Sequence, residues 1–118
     1  MKNNLIKKIY ESTMNTGGAS YHLNGSTPKS GFMVAQVGAE KIISLKDFTE
    51  EIIENFVNEN IKKLSNNEDL CVGTWESEGQ VYFDISENIQ DKNKAITEGL
   101  KNNQLAIFDL STFESIML

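Results

Sequence analysis

Gly17-Gly18-Ala19-Ser20-Tyr21-His22 is the stretch of this 118-residue chain whose residue types come nearest to chemistry. Paired glycines let a backbone approach an anion closely, hydroxyls can ligate it, and His22, the only histidine, could act as acid or base. A phosphate loop would open a helix and carry a lysine. Neither follows here, so a glycine turn leading into a strand is the simpler reading. Cys71 sits in the apolar run Leu70-Cys71-Val72 with no basic neighbour in sequence to lower its pKa, the pattern of a buried structural thiol and not of a nucleophile. His22 is its only possible histidine partner, and nothing in the sequence links the two.

Asp84, Asp91 and Asp109 invite a paired-carboxylate or cation reading. Asp84 lies in Val81-Tyr82-Phe83-Asp84-Ile85 and Asp109 in Ala106-Ile107-Phe108-Asp109-Leu110, two strand-like segments that would chelate a cation if they ran side by side. Their spacing matches no metal motif, and a solvated or turn-capping role is expected. Trp75, between Thr74 and Glu76 near a hairpin tip, is either core or an exposed anchor of the kind enriched in protein interfaces.

The charges are sorted along the chain. Residues 1–46 carry six lysines against Glu11 and Glu40, a net of +4; residues 47–118 carry five lysines against fifteen acids, a net of −10, and together they make the overall −6. Such a C-terminal surface repels nucleic acid and acidic membrane and favours a basic protein. Asp47, Glu50, Glu51, Glu54 and Glu59 fall on or just before one predicted helix, and Glu68, Asp69, Glu76, Glu78 and Glu87 fall before and along a predicted hairpin. Together they could imitate a row of phosphates to a nucleic-acid-binding protein, or serve only as a solubilising surface.

The elements that would position these residues are readable from periodicity. Leu5, Ile6, Ile9 and Tyr10 recur at helical spacing over residues 3–14, with Lys2, Lys7 and Lys8 opposite, and Gly17-Gly18 ends the helix. Strands are predicted at Ala19–Leu23, Gly31–Val37 and Lys41–Leu45, forming a meander, with turn residues at Asn24–Pro28. Ile53, Phe56, Val57, Asn60, Ile61 and Leu64 define one continuous helix capped by Thr49. A hairpin of Leu70–Glu76 and Gln80–Ser86 follows, joined by Ser77-Glu78-Gly79. Asp91 caps a helix ending at Asn102-Asn103, Gln104–Leu110 is a strand, and Ser115–Leu118 pairs at an edge. The expected fold is α+β: a single domain over 1–118, residues 1–16 being a helix and linker, with a mostly antiparallel sheet of five to six strands and two to three helices packed on it. The run from Val81 to Leu110 would supply one parallel pair. No apolar run approaches the roughly 18 residues of a membrane span, and Met1-Lys2-Asn3-Asn4 leads into an amphipathic segment instead of a signal core, so a soluble protein of a bacterial cytoplasm is expected.

Gly73-Thr74-Trp75, Val81–Ser86, Ala95-Ile96 and Asn103–Leu110, with Gly17–Ser20, Pro28 and Ser30–Val34 before them, together resemble a small domain met in proteins of phages and other mobile elements. The resemblance implies a context, an acidic protein acting on host defence machinery whose nucleases present basic clefts, and it implies no catalytic residue. The expectation is therefore a non-enzymatic inhibitor, of anti-CRISPR or anti-restriction type, that binds a basic nuclease or other nucleic-acid-binding host factor through Glu50, Glu51, Glu54, Glu59, Trp75, Glu76 and Glu78. It would need no cofactor, metal, nucleic acid or membrane. Two other readings make different demands. A nucleotide-binding module or enzyme needs a cleft where Gly18, Ser20 and His22 converge, and a self-associating accessory protein, as a homodimer, needs an apolar surface patch.

Overall fold

The computed structural model describes residues 2–118, with side chains described from Asn4 onward, so the expected solvent-facing Lys2 side chain lies outside the described residues. Helix α1 (Lys2–Thr16) leads through Gly17, at φ +90, into β1 (Gly18–His22). Strands β2 (Phe32–Ala35) and β3 (Lys41–Ser44) precede a single 3-10 turn, then helices α2 (Glu50–Glu59) and α3 (Ile61–Asn66). The hairpin of β4 (Leu70–Ser77) and β5 (Gln80–Ile89), helix α4 (Lys92–Lys101) and strands β6 (Ala106–Asp109) and β7 (Glu114–Met117) complete an α+β fold. The sheet has seven strands, one or two more than expected.

Several sequence cues act as expected. Thr49 caps α2 by accepting from the Ile52 N–H at 3.3 Å, and Asp91 caps α4 by accepting from Lys94 N–H at 3.0 Å. Asn103, at φ 58, ends α4 in a left-handed cap: its own N–H bonds Leu100 O and the Gln104 N–H bonds Gly99 O. The helix expected to run unbroken through Asn60 is instead two helices. The Asn60 side chain donates to Phe56 O at 2.9 Å, taking the carbonyl its own N–H would use in a continuous helix, and that N–H turns to Val57 O.

The expected meander does not form. Strand β1 pairs with β4, β2 with β5 and β6, and β3 with β5, so none of the first three strands pairs with another. The cause is the length of β5, which gives one edge to β4 and divides the other between β3, at residues 80–83, and β2, at residues 86–89. The order is β1-β4-β5-β2-β6-β7 with β3 beside β5, and every pair is antiparallel. Strands β5 and β6 point the same way across α4 but β2 lies between them, so the expected parallel pair is not made.

Alternation along β5 then sorts the molecule into two faces. Val81, Phe83 and Ile85 enter a core with Leu5, Ile6 and Ile9 of α1, Ile53, Phe56 and Val57 of α2, and Phe48. Phe83 is its aromatic centre, 5.0 Å from Phe56 and 5.8 Å from Phe48, which in turn stacks on Tyr10. Helix α4 packs Ala95 against Val34 and Ile107, which lie on that same face. The buried Thr13 and Thr74 hydroxyls meet at 2.6 Å and Thr13 donates to Ile9 O, so α1 docks on β4 without an orphaned polar atom. All the helices thus lie on one side, leaving the other sheet face open.

The hairpin turn is two residues, Glu78 (φ 51) and Gly79 (φ 79), closed by the pair Ser77 and Gln80. Positive φ at both central residues matches the twist of the flanking strands, and a glutamate there is strained where Asn or Gly would not be. Glu78→Asn is therefore expected to stabilise the fold by about 0.5–1 kcal/mol in urea unfolding. A loss of stability would mean that Glu78 makes a compensating interaction.

Candidate functional site

The open face is shaped by small and large residues at opposing positions. On β4 and β5 it carries Cys71 opposite Ser86, Gly73 opposite Asp84, and Trp75 opposite Tyr82, while β1 adds His22, Ser20 and Gly18 beside the same three β4 residues. Gly18 runs close to β4: a Cβ there would stand 3.0 Å from the backbone oxygen of Thr74, a tight approach, and 3.8 Å from Trp75 Cε3, an ordinary contact. Gly73 makes room for the Asp84 carboxylate, whose Oδ1 a Cβ on Gly73 would overlap. The glycine pair at the start of β1 therefore divides its work. Gly17 supplies the positive φ of the turn, and Gly18 supplies clearance.

An open groove of about 800 Å³ runs along this face, with Trp75 of β4 and Ser20 of β1 on one side, Phe108 of β6 and Phe113 on the other, and Asp84 between. Phe113, at φ 57, has a left-handed backbone that is an outlier for a bulky residue, and its ring lies 6.5 Å from that of Phe108. Asp84 accepts a hydrogen bond from Ser86 Oγ at 3.0 Å, and among the described residues no cation lies within ion-pair reach of it. Burial raises its pKa above the ordinary 3.8; the Ser86 bond opposes that rise and the charge of Glu40 adds to it.

Next to the groove, His22 Nδ1 lies 3.4 Å from Cys71 Sγ and 3.2 Å from Leu70 O. The sequence does not connect this pair, yet it falls directly out of the β1–β4 register. It is a poor nucleophile. Burial first, then the carboxylates of Asp84 and Asp69, push the Cys71 thiol up to about 12, so it stays protonated at neutral pH. His22 does not line the groove with Gly18 and Ser20, so the three residues that an enzyme reading would bring together are not assembled.

Asp84 and Asp109 are not brought together either. Asp109 caps the turn after β6, accepting from the Ser111 N–H at 2.8 Å and Ser111 Oγ at 2.7 Å, and these bonds hold its carboxyl below the usual range. Among the described residues no three His, Cys, Asp or Glu side chains are grouped as metal ligands. No helix of the described residues is long and apolar enough to cross a membrane.

The acids expected to form a binding surface fall at two ends. Glu78 belongs to the hairpin turn and Glu76 lies two residues before it on β4; at that turn Leu45 N–H bonds Gly79 O, and Asp47, Glu50 and Glu51 follow Leu45 within six residues, a reach of at most about 20 Å. Glu50, Glu51, Glu59 and Glu78 are exposed, while Glu54 and Glu76 are half-buried. At the far end of β5, Asp69 and Glu87 line a separate hollow of about 740 Å³ with Lys94 and Glu98. Trp75 stands out at 63% exposed. The open face was not assembled from the sequence, although a two-residue turn at Glu78-Gly79 sets Gly73 opposite Asp84 by counting, and a glycine inside a strand marks a close approach. The chain matches no family model, no curated protein and no solved structure.

Two outcomes follow from the titrations. Because the folded protein holds the Asp84 proton more tightly than the unfolded chain does, the stability tied to this group is complete below its ordinary pKa and declines as pH rises through the folded value. Asp84→Asn should then raise Tm near pH 7, with the gain fading toward about pH 3, as thermal melts across pH would show. Cys71 should react with a disulfide reagent at about pH 8 far more slowly in the native protein than after denaturation. Equal rates would contradict the buried, protonated thiol.

Proposed function

We propose that the protein is a non-enzymatic inhibitor, of phage or mobile-element origin, that docks on the basic nucleic-acid-handling surface of a host defence protein of the CRISPR-effector or restriction-nuclease class. The observation that carries this reading is Trp75. A tryptophan 63% exposed on the sheet face away from the helices, next to Glu76 and three residues before Glu78 of the hairpin turn, has the form of a protein-binding anchor. Glu78 adds to it, since a non-glycine residue kept in a left-handed turn favours something other than fold stability. The net charge of −10 on residues 47–118 supplies long-range attraction to a basic partner, and Asp47, Glu50 and Glu51 are near enough in chain to the hairpin tip to act with it. The nucleotide-binding alternative is disfavoured by the groove itself, which has Asp84 at its floor and no lysine in its lining.

Self-association remains a second reading on one observation: Leu105 is 81% exposed and Met117 73% exposed, near the edge strand β7. Sedimentation decides it, a concentration-dependent dimer lost in Leu105→Lys supporting that reading and a monomer throughout removing it.

The inhibitor reading is tested by expressing the protein in bacteria that carry a defined CRISPR or restriction system and measuring phage plating. Protection should be lost in Trp75→Ala and in the Glu76→Lys, Glu78→Lys double variant at nearly unchanged Tm. Neither of those acids sits at a helix N-terminus, where charge reversal would cost stability by itself. With a purified target, association should slow between about 50 and 500 mM salt while dissociation changes less. No protection against any system in a broad panel would sink the proposal.

A further inference from the structure

We infer that the groove on the open sheet face is a receptor for one cationic side chain, the ammonium of a lysine or the guanidinium of an arginine on a partner protein, with Asp84 as counter-ion and Trp75, Phe108 and Phe113 as its walls. This rests on the reading of the protein as a binder of basic surfaces and gives that reading a definite pocket.

Three independent features lead there. The first is the carboxylate. Asp84 stands at the groove floor with Ser86 as its only hydrogen-bond donor and no cation within reach among the described residues, a costly arrangement for a half-buried carboxylate. A cation from outside would complete it. The second is placement: Gly73, directly across from Asp84, has no side chain, so the carboxylate lies over its backbone, where a Cβ would overlap Oδ1, and no β4 side chain stands there to pair with it. The third is the wall chemistry. Aromatic faces on either side of a carboxylate suit the apolar stem and diffuse charge of Lys or Arg, which pack along rings while the head reaches an anion. A phosphate or carboxylate ligand would meet repulsion from Asp84. A purely apolar side chain would leave the carboxylate buried and unpaired.

The groove also explains residues that are poor choices for the fold alone. Phe113 is three-quarters exposed and holds a left-handed backbone, where it gains little by packing. As a groove wall it has a purpose. Asp84 would be better replaced by Asn if stability alone mattered, and Trp75 would be better buried.

The test uses the full 15N-labelled chain near neutral pH and low salt, titrated with capped alanine pentapeptides bearing a central Lys, Arg or Gln. The Lys or Arg peptide should give saturable shifts at the Trp75 indole N–H and at the amides of Gly73 and Asp84, and the Gln peptide should give none. Asp84→Asn, which should fold at least as well as the parent, should weaken binding by about tenfold or more. Trp75→Ala should weaken it as well, and Phe113→Gly should weaken it while raising Tm. The proposal falls if neither cationic peptide gives a saturable shift, if the Gln peptide binds equally, or if Asp84→Asn binds the Lys and Arg peptides like the parent. Because the peptides probe the groove without any defence protein, this result is separate from the plating assay. Peptide binding without protection leaves the pocket and removes the inhibitor reading, whereas protection without peptide binding does the reverse.

Discussion

Pairing along β5 is the constraint on which the rest of the molecule depends. Its ten residues pair with β4 along one edge and with β3 and β2 in succession along the other; β1 is reached through β4, and β6 and β7 through β2. Because side chains alternate, one register decides that Val81, Phe83 and Ile85 are core and that Tyr82, Asp84 and Ser86 lie on the opposite face, the last two in the groove. A slip of one residue would exchange the two sets, driving a carboxylate into the Phe56–Phe83 cluster. The two-residue turn at Glu78-Gly79 prevents that slip locally, and the fit of Phe83 among Phe48 and Phe56 prevents it through packing.

What could be read from the sequence follows from how far each interaction reaches. Thr49, Asp91 and Asn103 act on backbone groups a few residues away, so the start of α2 and both ends of α4 were legible. The hairpin was legible for the same reason, and the α+β class with it. Asn60 breaks its helix by a side-chain bond to its own preceding turn, a competition that the apolar periodicity of Ile53 to Leu64 does not register. The first three strands were recognised as strands and wrongly paired with one another, because proximity in sequence suggests a meander while the unpaired edge of β5, forty residues later, gives a longer ladder. The glutamates and Trp75 are singled out by charge and type, and the structure adds that Trp75, Glu50, Glu51, Glu59 and Glu78 are exposed. The groove was missed because Asp84 was compared with Asp109, a strand-end relation, instead of with Gly73, its partner across the hairpin.

Costs to stability are not spread evenly over the structure. The helix-covered face has capped helices, paired threonines and a dense aromatic core. On or beside the open face stand an uncompensated carboxylate, an exposed tryptophan and two non-glycine residues at positive φ. Small proteins hold few kcal/mol in reserve, so several such features gathered in one region point to retention for a reason other than folding. The same side holds Cys71 beside His22 in a protonated, buried state, so nucleophilic chemistry does not account for the retention. Recognition does.

Charge and groove would then act at different ranges. The acids of α2 and the hairpin tip are mostly exposed, and at physiological salt their field extends about 8 Å, enough to orient a basic partner and too weakly held to keep it. Asp84 is half-buried in the groove, so it would contribute less to that field and more once a cation is seated over it and water is excluded. A partner attracted by the outer acids and retained by one buried pair between aromatic walls would associate quickly and dissociate slowly. An acidic surface alone would give only the first of these properties, and under the proposed reading a cation paired with Asp84 would add the second.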